Sequence, residues 1–159
     1  MGQDARFEDG REAPLNLGAL TGDDLTVLSA LVQDAVFPIT EMKWDRPSRR
    51  LVCLINRFRW EDTSLVKGRN RDPERVQALL VINSVTSIAS QGIDRSDAEV
   101  ILSLMSVTFD GIDDGAGNVI LTLAGDGAIR ASVEALDVTL RDVTRPYKAP
   151  SGKVPQHTE

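Results

Sequence analysis

Arg49-Arg50-Leu51-Val52-Cys53-Leu54-Ile55-Asn56-Arg57-Phe58-Arg59-Trp60-Glu61 is the stretch on which the fold turns. Its polarity alternates with the period of two that a strand requires. Val52, Leu54, Phe58 and Trp60 share one face. Leu51, Cys53, Ile55, Arg57 and Arg59 share the other. That second face starts apolar and ends cationic, so its far end is expected to reach solvent or a partner. Arginines there can fork onto a carboxylate or phosphate. The competing and more frequent arrangement is a solvated edge paired with Glu61, Glu41 or acids of another strand.

Toward the N-terminus, Asp45-Arg46-Pro47-Ser48 is turn chemistry, because Pro fixes φ while Asp and Ser bond nearby backbone. Before it, Thr40, Met42 and Trp44 alternate with Glu41, Lys43 and Asp45 as in a half-buried strand. Leu25, Leu28, Leu31 and Val32 fall at helical spacing, which predicts an amphipathic helix near 22–34. Thr21 supplies its N-cap, and Asp24 stands where a capping-box acid would. Residues 1–18 read as a flexible leader.

Toward the C-terminus, 61–74 is a polar connection with Gly68, Asn70 and Pro73. Val76 to Ile88 is apolar on both faces, which predicts a central or strongly bent strand. Ser96-Asp97-Ala98-Glu99 has the capping-box pattern of a short helical turn. Met105, Val107 and Phe109 mark another strand. Val119–Leu123 and Ile129–Val133, joined through Gly125-Asp126-Gly127, read as a β-hairpin. Leu136 and Leu140 fit either a strand or a short helix. From residue 144 the Pro-containing tail is expected to be loosely ordered.

The chain has 159 residues, 42% of them hydrophobic and 26% charged, with a net charge of −6. That length favours one domain with a real core. A single cysteine excludes an intramolecular disulfide. With His157 as the one histidine, a Cys/His zinc site is excluded too. No stretch approaches the roughly 18–20 apolar residues of a membrane span. The polar, acidic start lacks a secretory h-region, so the cytoplasm is the expected location. Between Lys43 and Arg75 there are ten basic residues against five acidic ones, in a chain that is acidic as a whole. An acidic protein or a small anion therefore fits this region better than nucleic acid does.

Other candidate chemistry is weaker. Cys53 as a nucleophile lacks a nearby base, since His157 lies in the tail, so it reads as a core residue. Asp110, Asp113, Asp114 and Asn118 do not match calcium-loop spacing and read as a hairpin turn. Gly125-Asp126-Gly127 lies between strands and not ahead of a helix, so a phosphate loop is not expected. Trp44 and Trp60 read as core aromatics. No cofactor and no metal are expected.

Five short blocks then stand out. They are Gln33-Asp34-Ala35-Val36, Asn56-Arg57-Phe58-Arg59-Trp60-Glu61, Gly92-Ile93-Asp94-Arg95, Val100-Ile101-Leu102-Ser103-Leu104-Met105 and Ala124-Gly125-Asp126-Gly127-Ala128-Ile129-Arg130. On these the chain resembles a bacterial family of small proteins catalogued as a domain of unknown function, over roughly Leu15 to Asp142. The Asn-Arg-Phe-x-Trp-Glu block is the most specific. Asp126 departs from the family's more purely glycine turn, and Pro155-Gln156-His157 is similar to its Pro-x-His ending. The resemblance implies no activity, cofactor or substrate. It directs attention to Asn56, Arg57, Trp60 and Glu61.

The expected fold is α+β. An N-terminal amphipathic helix precedes about six mainly antiparallel strands in a curved sheet or partial barrel, over 19–143, followed by a tail at 144–159. A pleckstrin-homology-like barrel is the alternative if 134–143 is helical. The expected function is a non-catalytic binding or adaptor module, with Asn56, Arg57, Arg59 and Glu61 as the ligand or partner surface. The alternatives are an enzyme using carboxylates and Arg on a small anionic substrate, and a structural homo-oligomer.

Overall fold

Residues 14–61 and 74–148 are described by the structure, a computed structural model. The polar connection over 62–73, most of the leader and the tail from 149, with His157, lie outside the described residues.

The strands are β1 (Asn16–Ala19), β2 (Val36–Pro38), β3 (Met42–Asp45), β4 (Arg50–Phe58), β5 (Glu74–Ile82), β6 (Val85–Gln91), β7 (Ile101–Asp113), β8 (Ala116–Leu123), β9 (Ala128–Val133), β10 (Val138–Asp142) and β11 (Tyr147–Lys148). They join in one sheet in the order β1-β10-β5-β4-β2-β7-β8-β9-β6, with β3 beside β4 and β11 beside β5. Every pairing is antiparallel. One α-helix, α1 (Gly22–Leu31), and a single 3₁₀ turn at Ile39–Glu41 complete the described chain.

The α+β expectation is therefore corrected. Eleven strands and one ten-residue helix make a mainly antiparallel β protein. The pleckstrin-homology-like alternative fails with it, because 138–142 is strand β10 between β1 and β5. Its inward residues Val138 and Leu140 are fully buried, which a period of two permits.

The sheet curls on itself around one core. Leu51, Cys53 and Ile55 of β4 and Leu80 and Ile82 of β5 share it with Leu121 of β8 and Ile129 of β9. The curl depends on a corner that separates β5 from β6. Ser84 stands at φ 58°, the left-handed region that non-glycine residues seldom adopt. Around it Asn83 N donates to Asp137 O (2.9 Å), Val85 N to Arg49 O (2.9 Å) and Glu134 N to Ser84 O (3.0 Å). The stretch read as one strand over 76–88 is thus two strands, one within the sheet and one at its end.

Helix α1 begins where its cap dictates, with Thr21 Oγ1 accepting from Asp24 N at 3.1 Å. Leu25 and Leu28 are buried, and Ser29 Oγ accepts from Val107 N (2.8 Å), so the helix is fastened to β7. Residues 16–18, read as leader, belong to β1. Tyr147 and Lys148, read as tail, pair with β5. Ser96–Glu99 forms turns and no helix, because Asp94 Oδ1 accepts from both Ser96 N (3.1 Å) and Ser96 Oγ (2.6 Å). The hairpin of β8 and β9 turns through Gly125 (φ 82°) and Asp126 (φ 70°). Aspartate tolerates that conformation, which accommodates its place in a glycine turn. Among the described residues no helix is long and apolar enough to cross a membrane.

Candidate functional site

The block Asn56–Glu61 is held by interactions within the protein. Arg57 shares the core face of β4 with Leu51, Cys53 and Ile55, and it is 0% exposed. A guanidinium has five N–H donors. Here Nε and Nη2 donate to Asp142 Oδ1 and Oδ2 (3.1 and 3.0 Å). Nη1 and Nη2 donate to Glu61 Oε1 and Oε2 (2.9 and 2.8 Å), and Nη1 also donates to Phe58 O (3.0 Å). Every donor is used, so none is left for an external ligand. Burial alone would lower the arginine pKa, but the hydrogen bonds and charges of Glu61 and Asp142 raise it overall. For Glu61, burial pulls upward and Arg57 pulls down harder, so the carboxyl sits below its ordinary value.

Arg59, also buried, donates through Nη1 to Glu74 Oε1. The cationic strand end expected to meet solvent or a partner is therefore turned inward, and its charge is matched by Glu61, Asp142 and Glu74. The glutamate pairing foreseen for Arg57 is present. Asp142 lies 85 positions away and carried no local signal. Asn56 Nδ2 donates to the Tyr147 hydroxyl (2.7 Å), and its Oδ1 accepts from Arg75 Nη1 (3.1 Å). Phe58 is buried, with Arg75 stacked 3.9 Å from its ring centroid and Trp60 at 5.6 Å. Trp60 Nε1 donates to Gln33 O (2.9 Å). The block joins β4 to the chain after α1, to β5, β10 and β11.

Cys53 is buried, and burial pushes its thiol up to about 12, so it is protonated at neutral pH. We expect no reaction of the native protein with an aromatic disulfide reagent over minutes, and one equivalent of reaction after denaturation. Rapid labelling of the native protein would contradict this burial. Among the described residues no group of three or more His, Cys, Asp or Glu side chains could hold a metal ion. Asp110 and Asn118 lie opposite each other in the β7–β8 ladder.

A different place has the form of a ligand seat. Past the corner at Ser84, β6 diverges from β3 and β4 and leaves an open groove of about 840 Å³. That volume falls within the span of roughly 300–1,000 Å³ usual for ligand pockets. Leu51, Met42, Ile88 and Ile39 make its apolar part, and Trp44 flanks it. Met42 and Trp44 pair in register with Cys53 and Leu51, so they project to the inner side of the curl. Arg46 and Arg95 provide two cations at the same groove. Neither guanidinium has an ion-pair or hydrogen-bond partner among the described residues. Asp45, beside Arg46, is engaged by Ser48 Oγ at 2.6 Å, and Asp94, beside Arg95, by Ser96. Thr40, Thr86 and Ser87 add hydroxyls, and among the described residues no carboxylate, imidazole or thiol lines the groove. The sequence offered Trp44 and Arg46 as a strand residue and a turn residue. Nothing local could show that Arg95, in the loop after β6, stands across from them.

A family model described as a protein of unknown function (DUF2948) matches residues 15–157. No curated protein and no solved structure matches the chain.

Proposed function

For a chain that belongs to DUF2948, a family whose description assigns no activity, we propose a non-catalytic binding role seated in the groove between β3 and β6. The anionic ligand expected from the charge pattern keeps its chemistry in this reading. Its seat moves away from Asn56, Arg57, Arg59 and Glu61, whose polar groups are engaged internally. Arg46 and Arg95 hold an anionic group, while Trp44, Met42 and Ile88 cover an apolar part. The single observation that carries this is a groove combining apolar surface with two arginines that have no acidic partner among the described residues. Charge-assisted hydrogen bonds supply the affinity and the apolar wall supplies area. An enzymatic reading is weaker at this seat, because none of the described residues lining it is an ordinary general acid or base. A cytoplasmic setting is part of the proposal, consistent with one buried thiol and no disulfide partner.

Dodecanoate serves as a probe with one carboxylate and an apolar chain. In a Trp60→Phe background Trp44 is the sole indole, so its emission reports the groove. We expect a saturable emission change. The Arg46→Ala/Arg95→Ala pair should weaken binding about ten-fold or more, since a hydrogen bond to a charged group is worth about 1.5–3 kcal/mol. Both arginines are exposed, so their removal leaves the fold intact. A non-saturating titration, or equal affinity in the double variant, would sink the reading.

The homo-oligomer reading has one observation behind it. On the outer face of the sheet Val52 pairs with Val81 and Leu54 with Leu79, all half-buried. Light scattering at micromolar concentration tests it, and a monomer would count against it.

A further inference from the structure

We infer that the natural occupant of this groove is an extended acidic peptide segment of a partner protein, paired as an added strand along the open edge of β6. The inference rests on the groove reading and names its ligand class. Strand β6 ends the sheet order, with β9 on one side and no strand on the other among the described residues. An open edge is a row of unpaired N–H and C=O groups, and proteins usually guard such edges with Lys, Pro or cover. Here Val85-Thr86-Ser87-Ile88-Ala89-Ser90-Gln91 contains no charge and no proline. The bulge lies at its start, between Val85 and Ser87, and the register with β9 then runs unbroken from Ser87 to Gln91.

Thr86, Ser87, Ala89 and Gln91 are exposed. Beyond Val85, whose N–H is taken by Arg49 O, the edge borders the groove and is paired by no other strand of the described chain. Strand β3, across the groove, also pairs on one side only among the described residues, but Lys43 guards it. Main-chain pairing to β6 would give affinity, and alternate side chains of the added strand would face inward toward Ile88 and Trp44. Arg46 and Arg95 select acidic residues among them by charge. An apolar small molecule would use the wall and leave the edge unpaired. A peptide uses both features.

The test uses a fluorophore-labelled seven-residue peptide, Glu-Ser-Val-Ser-Val-Ser-Glu, whose odd positions put acidic and apolar side chains on one face of a strand. Two further versions are N-methylated on alternate backbone nitrogens, one on each set. In an added strand one set of N–H groups faces β6 and the other faces away. Fluorescence anisotropy should show saturable binding of the parent. One methylated version should lose at least ten-fold and the other should bind within about three-fold, since tenfold corresponds to about 1.4 kcal/mol. Arg46→Ala/Arg95→Ala should weaken the parent peptide about ten-fold. Equal binding of all three peptides, equal loss in both methylated versions, or no binding of the parent would each overturn the inference. If the parent fails while dodecanoate still saturates Trp44 emission, the peptide inference falls and the groove reading stands. If dodecanoate fails as well, the groove reading falls with it.

Discussion

Arg57→Met should destabilise the protein by about 3–5 kcal/mol, the usual cost of removing one partner from a buried ion pair. Methionine roughly keeps the unbranched length of the side chain. It removes the charge and all five hydrogen bonds described for Arg57. Asp142, whose side chain is 3% exposed, would retain the bond from Leu15 N (2.9 Å) but lose its cation. Urea denaturation at neutral pH measures the cost. A loss below about 1 kcal/mol would show that the network adds nothing over an apolar side chain. The dependence on pH gives an independent check. Glu61 has a folded pKa below its unfolded value, set by Arg57 against the opposing effect of burial. Its contribution is complete above the unfolded value of about 4.3 and is lost as pH falls through the lower folded value. In Arg57→Met the largest opponent of burial is gone, leaving a backbone hydrogen bond and the Arg59 charge, so this contribution shrinks. The gap between variant and wild type should therefore narrow below about pH 4.

Phe58→Ala should cost about 3–5 kcal/mol by the cavity it leaves in a well-packed site. Phe58 is 1% exposed, and its ring carries both the Arg75 guanidinium at 3.9 Å and the tilted Trp60 ring at 5.6 Å and 49°. Losing the ring removes apolar burial and leaves Arg75 without the π face that offsets its partial burial. Phe58→Leu keeps much of the volume and should cost less. A double-mutant cycle with Arg75→Met isolates the cation–π part, expected at about 0.5–2 kcal/mol. A Phe58→Ala cost below about 1 kcal/mol would place the ring outside the packed interior.

Both variants lie in the block Asn56–Glu61, and its chemistry explains why these residue types occur together. Asn56, Arg57, Phe58, Arg59, Trp60 and Glu61 each make a contact that ties β4 to another segment or to this same network. A block that looks like a binding motif in one dimension acts as a fastening in three. The groove arginines stand in less specific sequence, in a turn and a loop.

Where the rules are local, the sequence was readable. Thr21 caps α1 because its hydroxyl needs only the third amide onward. The helix expected near 22–34 is found at 22–31, ending where Val32 N turns back to Ser29 O. The β8–β9 hairpin follows from a turn and two alternating flanks, and β4 from its own alternation. Where the decisive partner is distant, the reading failed. Val76–Ile88 carries apolar residues on both faces, and the Asn83-Ser84 pair inside it is too short a polar break to mark a corner by itself. The groups that hold the corner come from Arg49, Glu134 and Asp137. The same absence of local signal hid β1, whose partner β10 lies more than a hundred residues on.

The charge pattern shows the same division. From residue types alone come an acidic chain, a basic central span, one cysteine without a partner and a strand face that is apolar and then cationic. Which arginines are neutralised was decided only by the tertiary structure. Arg57 and Arg59 point into the curl, where desolvation makes an unmatched charge too costly to persist, and Asp142, Glu61 and Glu74 meet them. Arg46 and Arg95 line the groove and are exposed, so water screens them and no internal acid is required. A sequence states the sign of each charge. Burial, set by long-range pairing, determines whether that charge must be matched from within or remains open to a partner.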